Sequence, residues 1–301
     1  MVSVIIPTYN AARHLPALLD RLADQTIPYE LIIIDSSSKD ETPQILKERG
    51  IAFHTISSAS FNHGGTRNMG IRMARYDQII FLTQDALPTA ANTLELLVKA
   101  LNSRPDVALA YGRQLPYPDT HVFGAFARLI NYPDQSRIKT RVDIPELGIR
   151  TCSCSNSFAA YKKEDILALG GFPDDSIFGE DVSVSSQFIL NGKAIAYCAE
   201  AQVYHSHDYT IGEEFRRYFD IGVFHEQQQR FLREFTQAES QGIKYMTDEA
   251  RYLLRTGNAH LLPAQFVRLV AKYVGYRAGR SHEKLPVGIK KKWSMSKTYW
   301  K

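Results

Sequence analysis

A chain of 301 residues with 44% hydrophobic and 23% charged side chains is ordinary for a soluble globular protein and holds ample material for a core. No apolar run approaches the roughly 20 residues of a membrane-spanning helix, and three cysteines (Cys152, Cys154, Cys198) are too few for a disulfide framework. Net charge is +4, yet from Arg268 to Lys301 ten Lys or Arg face one acid, Glu283, so this tail points to a polyanionic partner surface, membrane or nucleic acid.

Met1 leads directly into Val2-Ser3-Val4-Ile5-Ile6, which predicts a first strand with no signal peptide, and hence reduced thiols in the cytoplasm. Leu15, Leu18, Leu19 and Leu22 follow at helical spacing, with Pro16 tolerated in the first turn. Leu31–Ile34 reads as a second buried strand ending in Asp35, and Ser36–Asp40 as a loop. A short helix over 44–49 stops at Gly50, a third strand covers 52–56, and a helix covers 66–75. Gln78–Leu82 is predicted as a strand buried on both faces; it ends in Gln84 and Asp85, and Pro88 should stop further pairing. A helix over 94–101 and a strand over 107–111 continue an alternation that means an α/β fold, a mostly parallel sheet with helices on both faces.

Beyond Gly112 the pattern loosens, and 116–150 reads as irregular or partly helical. A strand over 157–161, a short helix over 164–169, a Gly170-Gly171 turn, a helix over 181–190 and a strand over 195–198 follow. From Ile211 onward only helical periodicity remains, so the chain divides into an α/β part, 1–210, and a helical, basic part, 211–301.

Parallel strands carry their carboxyl ends to one sheet edge, so Thr8-Tyr9-Asn10, Asp35 and Asp85 must converge there. Tyr9 can stack on a base and Asp35 can accept from a ring N–H and ribose hydroxyls, which together favour a nucleotide site. His63-Gly64-Gly65-Thr66-Arg67-Asn68 opens a helix: paired glycines allow close approach to a ligand, a helix N-terminus favours phosphate, and Arg67 adds a fixed cation. Glu180 and Asp181, adjacent at a helix start after a glycine turn, supply a candidate general base. His205 and His207 alternate as on a strand and therefore share a face, where with an Asp they complete a cation site.

The ordered series Val4-Ile5-Ile6-Pro7-Thr8-Tyr9-Asn10, Ile34-Asp35 with Ser36–Asp40, Gln84-Asp85, Gly170-Gly171-Phe172 and Gly179-Glu180-Asp181 resembles the family 2 inverting glycosyltransferases of the GT-A fold, over about residues 1–210. Phe61 to Asn68 and Leu82 to Pro88 resemble its rhamnosyltransferase branch, which typically uses dTDP-rhamnose to build O-antigen, capsule or other cell-surface glycans. The resemblance implies that Pro7, Thr8, Tyr9 and Asp35 surround the nucleoside, with Asn10, His63, Asn68 and Gln84 in the same donor site and Arg67 near the base or diphosphate. Asp85 matches the last acid of the family's Asp-x-Asp motif and would bind Mg²⁺ or Mn²⁺, with His207 or His205 completing the site. Asp181 matches the catalytic base, with Glu180 beside it contacting acceptor. One departure is that Thr83 replaces the first acid of Asp-x-Asp.

The expected activity is therefore metal-assisted transfer of a sugar, rhamnose from dTDP-rhamnose, to a lipid-linked or cell-surface polysaccharide acceptor. A UDP-sugar (galactofuranose or glucose) is the alternative donor. A sugar nucleotidyltransferase or a non-catalytic nucleotide-sugar binding module are the alternatives of another class, although the phosphate loop of the former is replaced here by Pro7-Thr8-Tyr9-Asn10. Lys290-Lys291-Lys292 with Trp293, Tyr299 and Trp300 suits an anionic membrane surface, so peripheral attachment at the inner face of the cell membrane is expected rather than nucleic-acid binding. A homodimer contact is the other use of that tail.

Overall fold

The computed structural model describes residues 1–235 and 239–300. Up to Tyr204 it is organised by one sheet of nine strands: β1 (Val2–Thr8), β2 (Tyr29–Asp35), β3 (Phe53–Thr55), β4 (Gln78–Leu82), β5 (Leu87–Pro88), β6 (Val107–Leu115), β7 (Arg137–Lys139), β8 (Phe158–Lys162) and β9 (Ala194–Tyr204). Their order is β3-β2-β1-β4-β8-β6-β9-β5, with β7 also on β9. β1 to β4 pair in parallel, β8 runs against both β4 and β6, and β9 runs with β6. Hence β1, β2, β3, β4, β6 and β9 share one direction, and the mostly parallel sheet is present. The reversed strand β8 starts at Phe158, opposite Leu82 where β4 ends. The residues before β8 are thereby delivered to the same edge as the ends of β1, β2 and β4.

Alternation along β1 explains the two faces. Val4 and Ile6 pack with Leu15, Leu18 and Leu22 of the helix Leu15–Ala23 and with Leu94 and Leu97 of the helix Thr93–Leu101. Ile5 points the other way, onto Ile71 of the helix His63–Met73 and Val184 and Phe188 of the helix Glu180–Leu190. Each such fully buried aliphatic side chain contributes about 1.5–3 kcal/mol, and every residue from Ile79 to Leu82 is fully buried, as expected of an interior strand.

Three expectations need correction. Pro88 does not stop pairing: it lies in β5, opposite Val203, at the end of the strand order, where a residue without an N–H is tolerated. His205 and His207 are not on a strand, because β9 absorbs residues 194–204 and ends at Tyr204. Trp293 and Trp300 do not face a membrane. Trp300 is 9% exposed, and both indoles pack with Ile177, Phe219 and Phe224. Lys301 lies outside the described residues.

From Ile211 the described elements are helical, chiefly Ile211–Gln227, Glu239–Arg255, Leu262–Arg280 and Val287–Trp293. The Ile211 and Leu262 helices cross through glycine contacts. A Cβ on Gly275 or Gly279 would lie 2.4 or 2.0 Å from the carbonyl oxygens of Phe215 and Phe219, so only glycine permits this backbone approach. Among the described residues no helix is long and apolar enough to cross a membrane.

Candidate active site

A cleft of about 600 Å³ opens at the carboxyl edge of the sheet, within the range of roughly 300–1,000 Å³ usual for small-molecule sites. Pro7, Thr8 and Tyr9 reach it from β1, and Thr83, Gln84 and Asp85 from β4. The two strand ends are clasped together: Tyr9 N–H donates to Gln84 Oε1 at 2.8 Å, and Gln84 Nε2 donates back to the Tyr9 carbonyl at 3.1 Å. The Tyr9 ring is left half exposed for stacking.

Asp35 and Asn10 take structural parts instead. Asp35 is 1% exposed, and its carboxylate accepts from Thr8 Oγ1, Ser38 N–H and Ser38 Oγ, so its oxygens are committed to the loop rather than turned to the cleft. Asn10, with φ +49°, donates its N–H to Ser38 Oγ and accepts from Lys39 N–H. Asn68 exchanges two hydrogen bonds of 2.8 Å with the Phe172 backbone and does not line the cleft. The Gly64-Gly65 pair makes no room for a ligand. A Cβ on Gly64 would stand 1.8 Å from the Pro173 carbonyl oxygen, so its close approach is to this chain's own backbone.

Asp85, His205 and His207 form a cluster whose ligand atoms all lie within 4.8 Å of one another. Asp85 Oδ2 is 3.5 Å from His205 Nε2 and 3.7 Å from His207 Nε2, so both histidines face the site. Burial opposes ionisation of Asp85, but hydrogen bonding and charge from His205, with smaller contributions from His207 and Thr83, overcome it and hold the carboxyl well below the usual range. Burial, followed by the neighbouring His205, lowers His207 to about 4, so its ring is neutral at pH 7 and able to ligate. His205 Nδ1 is 2.8 Å from Gln114 Oε1, which also accepts from Arg128 Nη1 at 2.6 Å. A guanidinium only donates, so that atom is the amide oxygen and Nδ1 carries the hydrogen, which leaves Nε2 as the ring nitrogen turned to Asp85. One carboxylate and two imidazoles, with Thr83 in place of a second acid, are a donor set that fits a divalent cation.

On the facing wall the Glu180 helix begins after Gly179 in a left-handed conformation, φ +70°. Arg67 Nη1 lies 2.9 Å from Glu180 Oε1, so the predicted diphosphate cation is instead paired within the wall. Arg67 also donates to the His63 carbonyl at 3.1 Å, and both residues line the cleft. Burial, aided by Arg67, lowers His63 further from charging, although Glu180 counters it. Asn156, oriented by a 2.7 Å bond from Tyr161, donates its side-chain amide to Glu180 and its backbone N–H to Asp181 Oδ2. Asp181 differs sharply from Glu180: burial, then the adjacent Glu180 charge, raises its carboxyl well above the usual Asp range. A half-buried carboxylate of that kind, opposite a cation site, is suited to take a proton from a hydroxyl.

Sequence reading missed Asn156, Arg128, Arg217, Asp220, Met295 and Ser296, all of which line this cleft. Arg217 projects from the Ile211 helix between the rings of Phe178 and Tyr209, at 5.1 and 5.4 Å from their centroids, and makes no ion pair among the described residues. Asp220 Oδ2 accepts from Met295 N–H at 2.9 Å and so seats the last segment of the chain on the cleft wall. No motif announces these residues. The only available hint was the helical face that repeats through Phe215, Phe219 and Val223.

The family profile for glycosyl transferase family 2 matches residues 3–169. The chain belongs to that family. Among curated relatives, the O-antigen chain rhamnosyltransferase RfbN of Salmonella typhimurium is 42% identical over 302 residues, spanning 99% of this chain and 96% of that one. WbaN of Salmonella anatum, also an O-antigen chain rhamnosyltransferase, is 41% identical, spanning 99% and 95%. A solved mannosyltransferase from Pyrobaculum calidifontis, in complex with GDP-Man and Mn²⁺, superposes with a TM-score of 0.57 at 20% identity, covering 99% of this chain and 84% of its own. This family 2 glycosyltransferase therefore has the GT-A fold, with a helical C-terminal region.

Proposed function

We propose that this enzyme transfers L-rhamnose from dTDP-rhamnose to a hydroxyl of a lipid-linked or cell-surface polysaccharide, inverting the anomeric carbon. The observation that carries the reading is the placement of Asp181 in one cleft with Asp85, His205 and His207. The two Salmonella relatives support the choice of sugar. Asp181 accepts the proton of the acceptor hydroxyl while its oxygen bonds to the anomeric carbon. The bond from that carbon to the diphosphate breaks, and the diphosphate leaves with the electron pair. Tyr9, Thr8 and Pro7 hold the nucleoside. Arg217, with no ion pair among the described residues, attracts the diphosphate. A divalent cation held by Asp85, His205 and His207, Mn²⁺ favoured over Mg²⁺ by two imidazole ligands, would supply Lewis-acid neutralisation of the leaving diphosphate. Glu180 is the positioning partner that keeps Asp181 basic.

Residues 1–210 bind donor together with Arg217, and the rest of 211–301 completes the acceptor side and brings the enzyme to the inner face of the membrane where lipid-linked acceptors lie. Turnover of a panel of nucleotide sugars, with Mn²⁺, Mg²⁺ or chelator, tests the reading. A preference for dTDP-rhamnose that depends on added cation is expected. Preference for a UDP-sugar, or undiminished turnover in chelator, overturns the donor or the cation assignment respectively.

A further inference from the structure

The helix Leu262–Arg280 is amphipathic in the reverse sense. Its inner side meets the Ile211 helix through Gly275 and Gly279, with Gln265 buried and Arg268 and Lys272 turned inward onto Glu214. Its outer side carries Phe266 (66% exposed), Val267 (49%), Val270 (44%), Tyr273 (63%) and Val274 (48%). At about 100° per residue these five occupy one arc of roughly 120°, and exposed Arg277 continues the same line. Small residues inward and large apolar residues outward is how helices pack when their outer surface is lipid. Four basic residues and the absence of an apolar span exclude a crossing helix, which leaves a helix lying in the membrane interface.

The charge around this face selects its occupant. No acid occurs in the helix, Arg277 is exposed on the same arc with no ion pair among the described residues, and the chain from Arg268 to Lys301 carries ten Lys or Arg against one acid. Two copies docked through this face would bring two acid-free, net basic segments together, whereas an anionic lipid headgroup layer complements that charge. An isolated exposed valine is ordinary, but five large apolar side chains in one stripe are not.

We infer that the outward face of the Leu262–Arg280 helix, from Phe266 to Arg277, is the surface by which the enzyme docks onto an anionic lipid bilayer. The aromatic side chains that do this are Phe266 and Tyr273, and the tail tryptophans take no part. The inference rests on the proposed membrane acceptor only for its purpose; the surface itself is tested apart from transfer.

Full-length protein is sedimented with vesicles of phosphatidylcholine alone or with phosphatidylglycerol, at low and high salt. Wild type is expected to bind the anionic vesicles and to release in salt. The double variant Val270→Glu, Tyr273→Glu is expected to bind about tenfold or more weakly, and Arg277→Glu to lose binding to a smaller extent. All should turn over donor with a short water-soluble acceptor at the wild-type rate, and unchanged thermal unfolding shows that folding is intact. Should the double variant prove unstable, Val270→Ser with Tyr273→Ser replaces it. Wild type that ignores anionic vesicles, or variants that bind as wild type does, overturn the inference. So does a dimer in light scattering that the variants convert to monomer without altering vesicle binding. Each of these results leaves the transferase reading standing if turnover persists, and loss of turnover in wild type with vesicle binding intact would remove that reading alone.

Discussion

Arg67 Nη1 and Glu180 Oε1 meet at 2.9 Å, with both side chains less than a tenth exposed. The pair commits the Arg67 guanidinium to Glu180 and leaves Asp181, one residue later, with burial and a neighbouring negative charge to raise it. Two adjacent carboxylates thus acquire different tasks, one ionised and structural, the other basic.

The role of Asp181 is open to a direct trial. Asp181→Asn is expected to lower kcat by roughly 10²–10⁴-fold while nucleotide binding, measured by calorimetry, stays near the wild-type value. Wild-type turnover in that variant would refute the base assignment.

The pH profile follows from the same pair. Asp181 works only when deprotonated, so kcat/KM should fall as pH drops through its raised value, closer to neutrality than to the ordinary 3.8. Glu180→Gln removes the adjacent negative charge and frees Arg67, both of which favour the Asp181 anion, so the acid limb should move to lower pH. Arg67→Met should move it higher and destabilise the fold by about 3–5 kcal/mol, since Glu180 is left buried and unpaired. A Glu180→Gln profile that shifts upward contradicts this account.

Cation affinity should depend on a residue that never touches the cation. Gln114 fixes the His205 ring through Nδ1, so Gln114→Leu is expected to weaken Mn²⁺ binding by about 10–100-fold. His207→Ala should weaken it at least as much. Mn²⁺ titration followed by electron paramagnetic resonance reads both, independent of turnover, and equal affinity in Gln114→Leu would remove that residue from the site.

Gly64→Ala offers a stability test in which two effects compete. Alanine favours a helix by up to about 1 kcal/mol, but its Cβ would stand 1.8 Å from a backbone oxygen of Pro173, and displacing backbone costs about 1–3 kcal/mol. A lower urea midpoint is therefore expected, and a raised one would show that the Pro173 loop yields freely.

The sequence made the sheet and its functional edge legible because buried parallel strands are written as unbroken apolar runs. The positions of Asp85 after Leu82 and of Asp181 after Gly179 pointed to that edge, and both residues line the cleft. What stayed illegible was how each polar group would be used. Asp35, Asn68 and the Gly64-Gly65 pair have the composition of a ligand site, yet their bonds close on Ser38, Phe172 and Pro173, partners fixed only by tertiary packing. Arg217 and Asp220 were hidden for the converse reason: on a helix of mixed polarity, their inward direction depends on the Gly275 and Gly279 contacts. Trp293 and Trp300 look like membrane anchors by composition, and only the hydrophobic cluster around Phe219 reveals them as core.

The bond from Met295 N–H to Asp220 ties together positions 75 residues apart. The cleft wall carrying Met295 and Ser296 is thus held by tertiary contact, whereas the edge carrying Tyr9 and Asp85 is anchored in the sheet itself. Weakening that one bond would loosen the wall and leave the sheet edge as it is.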